Sequence, residues 1–173
     1  MQHASRALRS YYELEAGFYA ASSVMLVCWE VRRRDFGIML LHHVVTVTLI
    51  VLSQHVGLLR IGSAVMALHD VNDVLLESAK LASYANCPAA STALFVLFVA
   101  CWAVLRLGIF PLRAIRSCWL GSREALGFWP GCQLEINLLL LALLVMHVYW
   151  FVLILRVALR KIRGGKLSDA REE

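Results

Sequence analysis

Long apolar segments divide this sequence, and they limit its fold more than any other feature. Each of the five segments has close to or more than the ~20 residues that a helix needs to cross a bilayer, and none reads as a strand. The hydrophobic share of 60% lies well above the roughly 45–50% of soluble domains. The segments are Tyr11–Val31, Phe36–Gly57, Leu59–Tyr84, Ala89–Leu107 and Cys132–Val157. We therefore predict an all-α, polytopic bundle with about five membrane-spanning helices.

Basic residues lie in short runs beside these segments and indicate orientation rather than contact with nucleic acid. The chain has a formal net charge of +5, and cytosolic loops of membrane proteins are enriched in Lys and Arg. We therefore expect Arg32–Arg34 to lie in the cytosol and the Arg113–Gly131 connection in the lumen. Five crossings then place the N-terminus in the lumen. Residues 1–160 are expected to form the membrane domain, and residues 161–173 a flexible, charged cytosolic tail.

Ionisable residues interrupt the second and third apolar segments. Such groups are costly inside a membrane, so they mark a functional site that faces the interior of the bundle. On the second segment, His42, Thr46 and Ser53 share one helical face. At ~1.5 Å per residue, His42 and Asp73 lie about 10 and 16 Å from the same membrane surface. One pocket that opens toward the cytosol can therefore hold both adjacent histidines, His42 and His43, and both aspartates, Asp70 and Asp73. The third segment carries its polar face on His69, Asp70, Asp73, Glu77 and Lys80.

Histidine beside carboxylates suggests acid–base or nucleophilic chemistry. A neutral imidazole can act as a base or accept an acyl group, and a carboxylate can fix its tautomer. A metal site is disfavoured, because His42 and His43 diverge by about 100° on a helix and cannot easily share one ion. Glu77 and Lys80 are spaced to form a neutralising ion pair, an alternative to a direct role. The scattered cysteines show no paired spacing and are interpreted as packing residues.

Four stretches, in this order, resemble the ceramide synthases of the TLC-domain family: WEVRRRDF, HHVVTVTLIVLS, RIGSAVMALHDVNDVLLESAKLASY and MHVYW. The resemblance covers about Tyr11 to Trp150. Members are multi-spanning enzymes of the endoplasmic reticulum that transfer a fatty acyl group from acyl-CoA to the amine of a sphingoid base. The resemblance implies no metal and no cofactor other than acyl-CoA as co-substrate, and it leaves a homodimer or heterodimer open. Residues that match the family's catalytic positions are His42, His43, Asp70 and Asp73.

The resemblance assigns roles to the polar residues. We expect His42 to accept the acyl group or act as base, with Asp70 or Asp73 as its partner and His43 positioning substrate. The luminal connection, with Trp119, Phe128 and Trp129, is expected to select acyl length. Members of the family carry further membrane helices before the segment that matches Tyr11 onward. This sequence shows none, so a shortened form is expected. Candidate substrate-binding residues, some of them for the phosphates of CoA, are Arg32, Arg33, Arg34, Thr46, Ser53, His69, Glu77 and Lys80.

Two other functions use the same residues. A non-catalytic TLC-domain protein would bind or sense lipid, or assist membrane insertion, but it would not need two histidines beside two carboxylates. A proton-coupled transporter would use these groups as a relay. The five segments contain no apparent inverted repeat, which argues against a transporter. The sequence therefore favours acyl transfer over both.

Overall fold

A computed structural model describes residues 5–120 and 131–163, which form five helices and no strand. The prediction of an all-α fold is confirmed. Two predicted segments match their helices closely, Phe36–Gly57 and Leu59–Tyr84. The helices are α1 (Arg6–Cys28), α2 (Phe36–Val56), α3 (Leu59–Tyr84), α4 (Pro88–Leu120) and α5 (Gln133–Ile162).

Local sequence signals account for several helix ends. The side chain of Ser5 accepts a hydrogen bond from the Leu8 amide at 3.3 Å, which caps the start of α1. Gly57 ends α2 in the left-handed conformation, with φ at 85°, which a residue without Cβ adopts at little cost. Pro88 occupies the first turn of α4, where its missing amide donor is not needed.

Contacts between helices show that neighbours in sequence run antiparallel. Tyr12 of α1 contacts Ser53 near the end of α2, whereas Tyr19 contacts His42 near the start of α2. The hydroxyl of Ser91 near the start of α4 donates to a carbonyl late in α3. These alternating directions place the loop at residues 29–35, which we call the arginine loop, and the C-terminal end of α5 at one end of the bundle. The α2–α3 turn and the start of α5 lie at the other end.

The helices enclose an apolar core into which polar groups are built. Phe110 is fully buried and contacts rings of α3 and α5, and Phe98 and Leu143 are each 2% exposed. Burial of such side chains contributes roughly 1.5–3 kcal/mol each in a soluble protein, and in a bilayer close packing takes over part of that role. Buried polar residues in the same interior include His42, His69, Asn72, Arg106 and His147.

Helix α4 extends beyond Leu107, where the fourth segment was predicted to end, and includes Gly108 and Pro111, two residues that often end helices. The helix continues through both residues to Leu120, with residues Trp102–Ile115 in a π-helical register. Proline cannot donate to the preceding turn, but a shift to i→i+5 bonding rearranges the backbone partners around it. Packing of α3 and α5 against Phe110 stabilises the continuous helix. Residues 112–120 are thus helical, not a loop.

Three described helices are long and apolar enough to cross a membrane, namely α2, α4 and α5. The chain is a multi-pass membrane protein by this criterion. The predicted count of five crossings is not confirmed. Helix α1 carries Glu13 and Glu15 in addition to arginines, and α3 carries two aspartates, Glu77 and Lys80. These charged residues distinguish α1 and α3 in composition from the three apolar helices.

Candidate active site

Three histidines from three helices meet inside the bundle. His42 of α2 lies nearly parallel to His69 of α3, with ring centroids 6.3 Å apart and planes inclined by 29°. His69 in turn contacts His147 of α5, with ring centroids 4.8 Å apart. All three side chains are buried, and His147 is fully inaccessible. We call His42, His69 and His147 the imidazole cluster.

The hydrogen bonds of His69 fix the tautomers in this cluster. Its Nδ1 lies 2.7 Å from the carbonyl of Val65, and a carbonyl can only accept, so Nδ1 carries the proton. In a neutral ring, Nε2 is then an acceptor. The Nε2 of His147, 2.9 Å away, must donate to it. His147 therefore carries its proton on Nε2 and presents a bare, buried Nδ1, for which the described residues provide no hydrogen-bond partner.

A buried guanidinium borders the imidazole cluster. Arg106 of α4 donates to the backbone carbonyl of His69 at 3.1 Å and to the Asp73 carboxylate at 2.7 Å. Its guanidinium carbon lies 4.1 Å from the ring centroid of Trp102, one helical turn earlier, a favourable cation–π contact. The Arg106 side chain is 5% exposed, whereas that of Asp73 is 55% exposed. One charged pair thus joins the cluster to a more accessible carboxylate.

The predicted aspartates are held by groups other than the histidines. Asp70 accepts a hydrogen bond of 2.6 Å from the phenol of Tyr11 on α1. Asp73 accepts from Arg106. Within residues 5–120 and 131–163, the Nδ1 of His42 is buried without a hydrogen-bond partner. His42 therefore does not form the expected His–Asp pair through this nitrogen. Its ring is instead surrounded by other aromatic rings.

Trp150 of α5 connects His42 to the arginine loop. Its ring packs edge-on against the His42 imidazole, with centroids 5.3 Å apart. Its indole nitrogen donates to the carboxylate of Asp35 at 3.2 Å. Asp35 is 3% exposed and directly follows the three arginines of the loop. The orientation of His42 is thus supported from α5 and, through Trp150, from that loop.

An apolar cavity of about 50 Å³ begins beside the imidazole cluster. His69, Tyr19 and Thr46 line the part nearest the cluster, and Tyr12, Ser53 and Leu58 line a part nearer the α2–α3 turn. Aliphatic side chains of α2, α3 and α5 form most of the wall between them. The cavity also reaches Cys118 and Ile136, at the ends of the helices that flank residues 121–130. A hydrocarbon chain would fit such a lining better than a polar ligand.

Nearly the whole sequence matches one family of known proteins. The profile of the TLC domain family matches residues 1–156. The chain belongs to the TLC-domain family. The resemblance to ceramide synthases of this family is thereby confirmed. Among curated relatives, ASC1-like protein 1 of Oryza sativa subsp. japonica is 42% identical over 94% of this chain and 54% of its own length.

Two further relatives of this TLC domain have names that state an activity. Ceramide synthase LOH1 of Arabidopsis thaliana is 40% identical over 94% of this chain and 54% of its own length. Ceramide synthase 5 of Homo sapiens is 41% identical over 96% of this chain and 42% of its own length. The chain spans about half of the length of the curated relatives that it matches.

The other candidate residues of this TLC domain lie around the cluster or apart from it. His43 is partly buried, donates to the carbonyl of Met39 at 2.8 Å and packs against Tyr19. Thr46 and Ser53 line the apolar cavity. Lys80 pairs with Glu77 at 2.7 Å on the outside of α3, which agrees with the neutralising pair. The metal alternative gains no support, because no described group of three or more ligand residues is placed to hold an ion.

The residues predicted to contact CoA or select acyl length are only partly described. The guanidinium of Arg32 lies over the ring of Phe36 at 5.4 Å, and Arg34 is exposed at the same end of the bundle. Trp119 is 48% exposed near the end of α4. Phe128 and Trp129 lie outside the described residues. Because the helices alternate in direction, the arginine loop and the cavity lie on opposite sides of the imidazole cluster.

Arg106, His147, Trp150 and Asp35 were not predicted as site residues. A charged residue within the apolar run of α4 was a usable signal for Arg106, by the same argument that selected Asp70 and Asp73. His147 stands alone in the apolar run of α5, and a lone histidine is often a packing residue. Only the fold places these residues next to His42 and His69.

Proposed function

We propose that this chain carries the catalytic region of a sphingosine N-acyltransferase. The reaction transfers a fatty acyl group from acyl-CoA to the amine of a sphingoid base and gives ceramide or dihydroceramide. Two relatives named ceramide synthase, at 40% and 41% identity, support this proposal. The structural observation that carries it is the buried His42, whose Nδ1 has no hydrogen-bond partner among the described residues and whose ring stacks on His69, a residue that lines an apolar cavity.

In the proposed mechanism, His42 accepts the acyl group. A bare ring nitrogen attacks the thioester carbonyl, the carbon–sulfur bond breaks, and CoA leaves with the proton that the acylated ring releases. The neutral amine of the sphingoid base then attacks the acyl-imidazole. An amide bond forms, the bond to His42 breaks, and the ring nitrogen takes the proton lost by the amine. Splitting the transfer in this way replaces one difficult step by two easier ones.

The carboxylates are proposed to receive the sphingoid base. At neutral pH the amine arrives as an ammonium, and it must lose a proton before it can attack. Asp73 is half exposed and already lies at the edge of the site, so it can attract the ammonium and take up its proton. Asp70, held by Tyr11, adds a second negative charge on the same face. His43 is proposed to position the substrate beside His42.

The cationic residues are proposed to bind CoA on the cytosolic side. Phosphates favour basic clusters, and the arginine loop lies at the end of the bundle opposite the cavity. Lys80, on the outside of α3, would extend this basic surface. With CoA held there, the thioester would reach the imidazole cluster and the acyl chain would continue into the cavity. The proposed reaction needs no metal and no cofactor other than the CoA carrier.

The membrane arrangement is proposed to follow the five antiparallel helices. We propose that α1 and α3 cross the membrane together with the three apolar helices, with the arginine loop in the cytosol. The connection at residues 121–130 would then be luminal, and we propose that it contributes to acyl selection. The endoplasmic reticulum is the proposed location, and assembly into dimers is left open.

Labelling with acyl-CoA tests both the reaction and its mechanism. Purified protein with acyl-CoA and sphinganine should yield the N-acylated base. With acyl-CoA alone, CoA should be released and acyl mass should remain on the peptide that contains His42, and His42→Ala should abolish this adduct. His55→Ala, a change at an exposed histidine of the same helix, is the control. Release of CoA only in the presence of base, without an adduct, would replace the covalent step by general-base catalysis.

A further inference from the structure

Tyr12 lines the apolar cavity at the level of Ser53, more than two helical turns from the imidazole cluster. Its side chain is 1% exposed, and its hydroxyl lies 3.2 Å from the hydroxyl of Ser53. Ser53 donates its own proton to the carbonyl of Ile50 at 3.1 Å, so Tyr12 is the donor in this contact. The phenol ring is therefore held in one orientation across the cavity.

Gly62 of α3 leaves the space that this ring occupies beside α3. A Cβ at position 62 would overlap the Tyr12 hydroxyl and would lie 3.0 Å from its Cζ and 3.1 Å from the Ser53 oxygen. Helices α2 and α3 thus both contact the tip of the ring. The ring cannot move toward α2 or α3 without displacing a helix, so it forms a rigid part of the cavity wall.

The position of Tyr12 relative to His42 gives this part of the wall a function. Ser53 follows His42 by eleven residues on α2, which places it ~16 Å further along the helix at 1.5 Å per residue. The wall between them is mainly aliphatic and includes Leu140 and Leu143 of α5. A chain whose carbonyl lies at His42 would therefore run along this apolar wall toward the phenol ring, and the cavity of about 50 Å³ would have to widen to admit it.

We propose that Tyr12, held by Ser53 over Gly62, is the end wall that limits the length of the acyl chain. This inference rests on the proposed function, because the occupant is the acyl group that His42 would receive. It assigns specificity to a residue of α1, separate from the connection at residues 121–130. A single methylene in an apolar pocket changes selectivity by roughly 10- to 200-fold, so removing the ring should change the product profile strongly.

The test is competition between acyl-CoAs of increasing chain length, with products resolved by mass spectrometry. Tyr12→Ala should raise the ratio of longer to shorter products by about tenfold or more. Leu140→Phe, which adds volume inside the cavity, should shift the profile toward shorter chains. Tyr12→Phe keeps the ring and should leave the chain length unchanged. Phe18→Ala removes an exposed ring of the same helix and is the matched control.

Two outcomes separate this inference from the proposed function. If Tyr12→Ala folds and still forms ceramide, an unchanged distribution of product chain lengths would overturn the end wall. If Tyr12→Ala does not fold, an unchanged distribution in Leu140→Phe would overturn it instead. A readout without turnover is cross-linking of saturated fatty acids that carry a terminal diazirine. Attachment to the peptide containing Tyr12 in a protein that forms no N-acylated product would support the end wall and count only against the proposed function.

Discussion

At the scale of single residues, Gly62 is the described glycine at which an added methyl group would meet the closest neighbours. Gly62→Ala would bring a methyl group onto the Tyr12 hydroxyl, and overpacking of this kind costs about 1–3 kcal/mol. We therefore expect a lower apparent melting temperature in detergent, measured by tryptophan fluorescence. Adding Tyr12→Phe removes the clashing oxygen and should restore part of the loss, so the two changes should not be additive.

Gly17 of α1 provides the matched control for this prediction. It lies within a helix and is exposed, and a methyl group added there would meet no atom within 4 Å. Alanine is favoured over glycine in helices by roughly 0.5–1 kcal/mol, so Gly17→Ala should leave the melting temperature unchanged or raise it. Equal destabilisation at both positions would mean that the contact between Tyr12 and Gly62 is not what limits position 62.

Sequence reasoning identified the polar face of the second and third segments but not its partners. His42 and His69 were placed correctly in the bundle interior because ionisable groups inside apolar segments face inward. The expected partners of His42 were carboxylates, whereas its described contacts include the rings of Tyr19, His69 and Trp150. Helical spacing predicts which residues share a face of one helix. It does not state which residue of another helix meets them.

At the scale of secondary-structure elements, the bond between Trp150 and Asp35 joins α5 to the start of α2. Asp35→Ala would leave the buried indole N–H of Trp150 without its acceptor, a loss of about 1–3 kcal/mol. Asp35→Asn keeps an acceptor oxygen and should cost less. Trp150→Phe removes the donor, and the double variant should be less destabilised than the sum of the single changes. Denaturation in detergent of the wild type, Asp35→Ala, Trp150→Phe and the variant with both changes measures this coupling.

Trp119→Phe is the control for this double-mutant cycle, because Trp119 is half exposed on α4. It should not change the effect of Asp35→Ala. If the Asp35 and Trp150 variants prove strictly additive, the two helices are not coupled through this bond. His42 would then lose the support that we assign to the arginine loop.

The ends of the helices were predicted with unequal success, for identifiable reasons. Gly57 ended α2 as expected, since its left-handed backbone favours glycine. Gly108 and Pro111 gave an equally strong local signal in α4, but the helix continues through them. Local rules describe what the backbone prefers alone. Burial of Phe110 and Ala114 against neighbouring helices is a tertiary effect that no local rule contains.

At the scale of the whole molecule, the alternating directions of the helices separate two surfaces. One end carries the arginine loop and the C-terminal end of α5, and the other carries the α2–α3 turn and the start of α5. The imidazole cluster lies between them, with the cavity on one side and Asp73 at its edge. This arrangement suits a reaction in which a charged carrier stays in water while its acyl chain enters the bilayer interior.

Cysteine accessibility tests whether α3 crosses the membrane with the three apolar helices. Cys28 lies at the end of α1 and Cys87 at the start of α4, and both are exposed. Helices α2 and α3 separate them, so two crossings return the chain to the side of Cys28. Cys132, at the start of α5, lies one crossing beyond Cys87. In single-cysteine variants, a membrane-impermeant maleimide should label Cys28 and Cys87 in sealed microsomes and Cys132 only after permeabilisation.

The pattern of labelling shows whether α3 crosses. If α3 did not cross, Cys87 would lie on the side opposite Cys28 and would be protected in sealed microsomes. Cys118 is buried against α5 and should react in neither condition, which controls for loss of structure. Labelling of Cys28 without Cys87 would reject the five-helix crossing. Because the proposed site takes His69 and Asp73 from α3, that result would also require a different route for the sphingoid base.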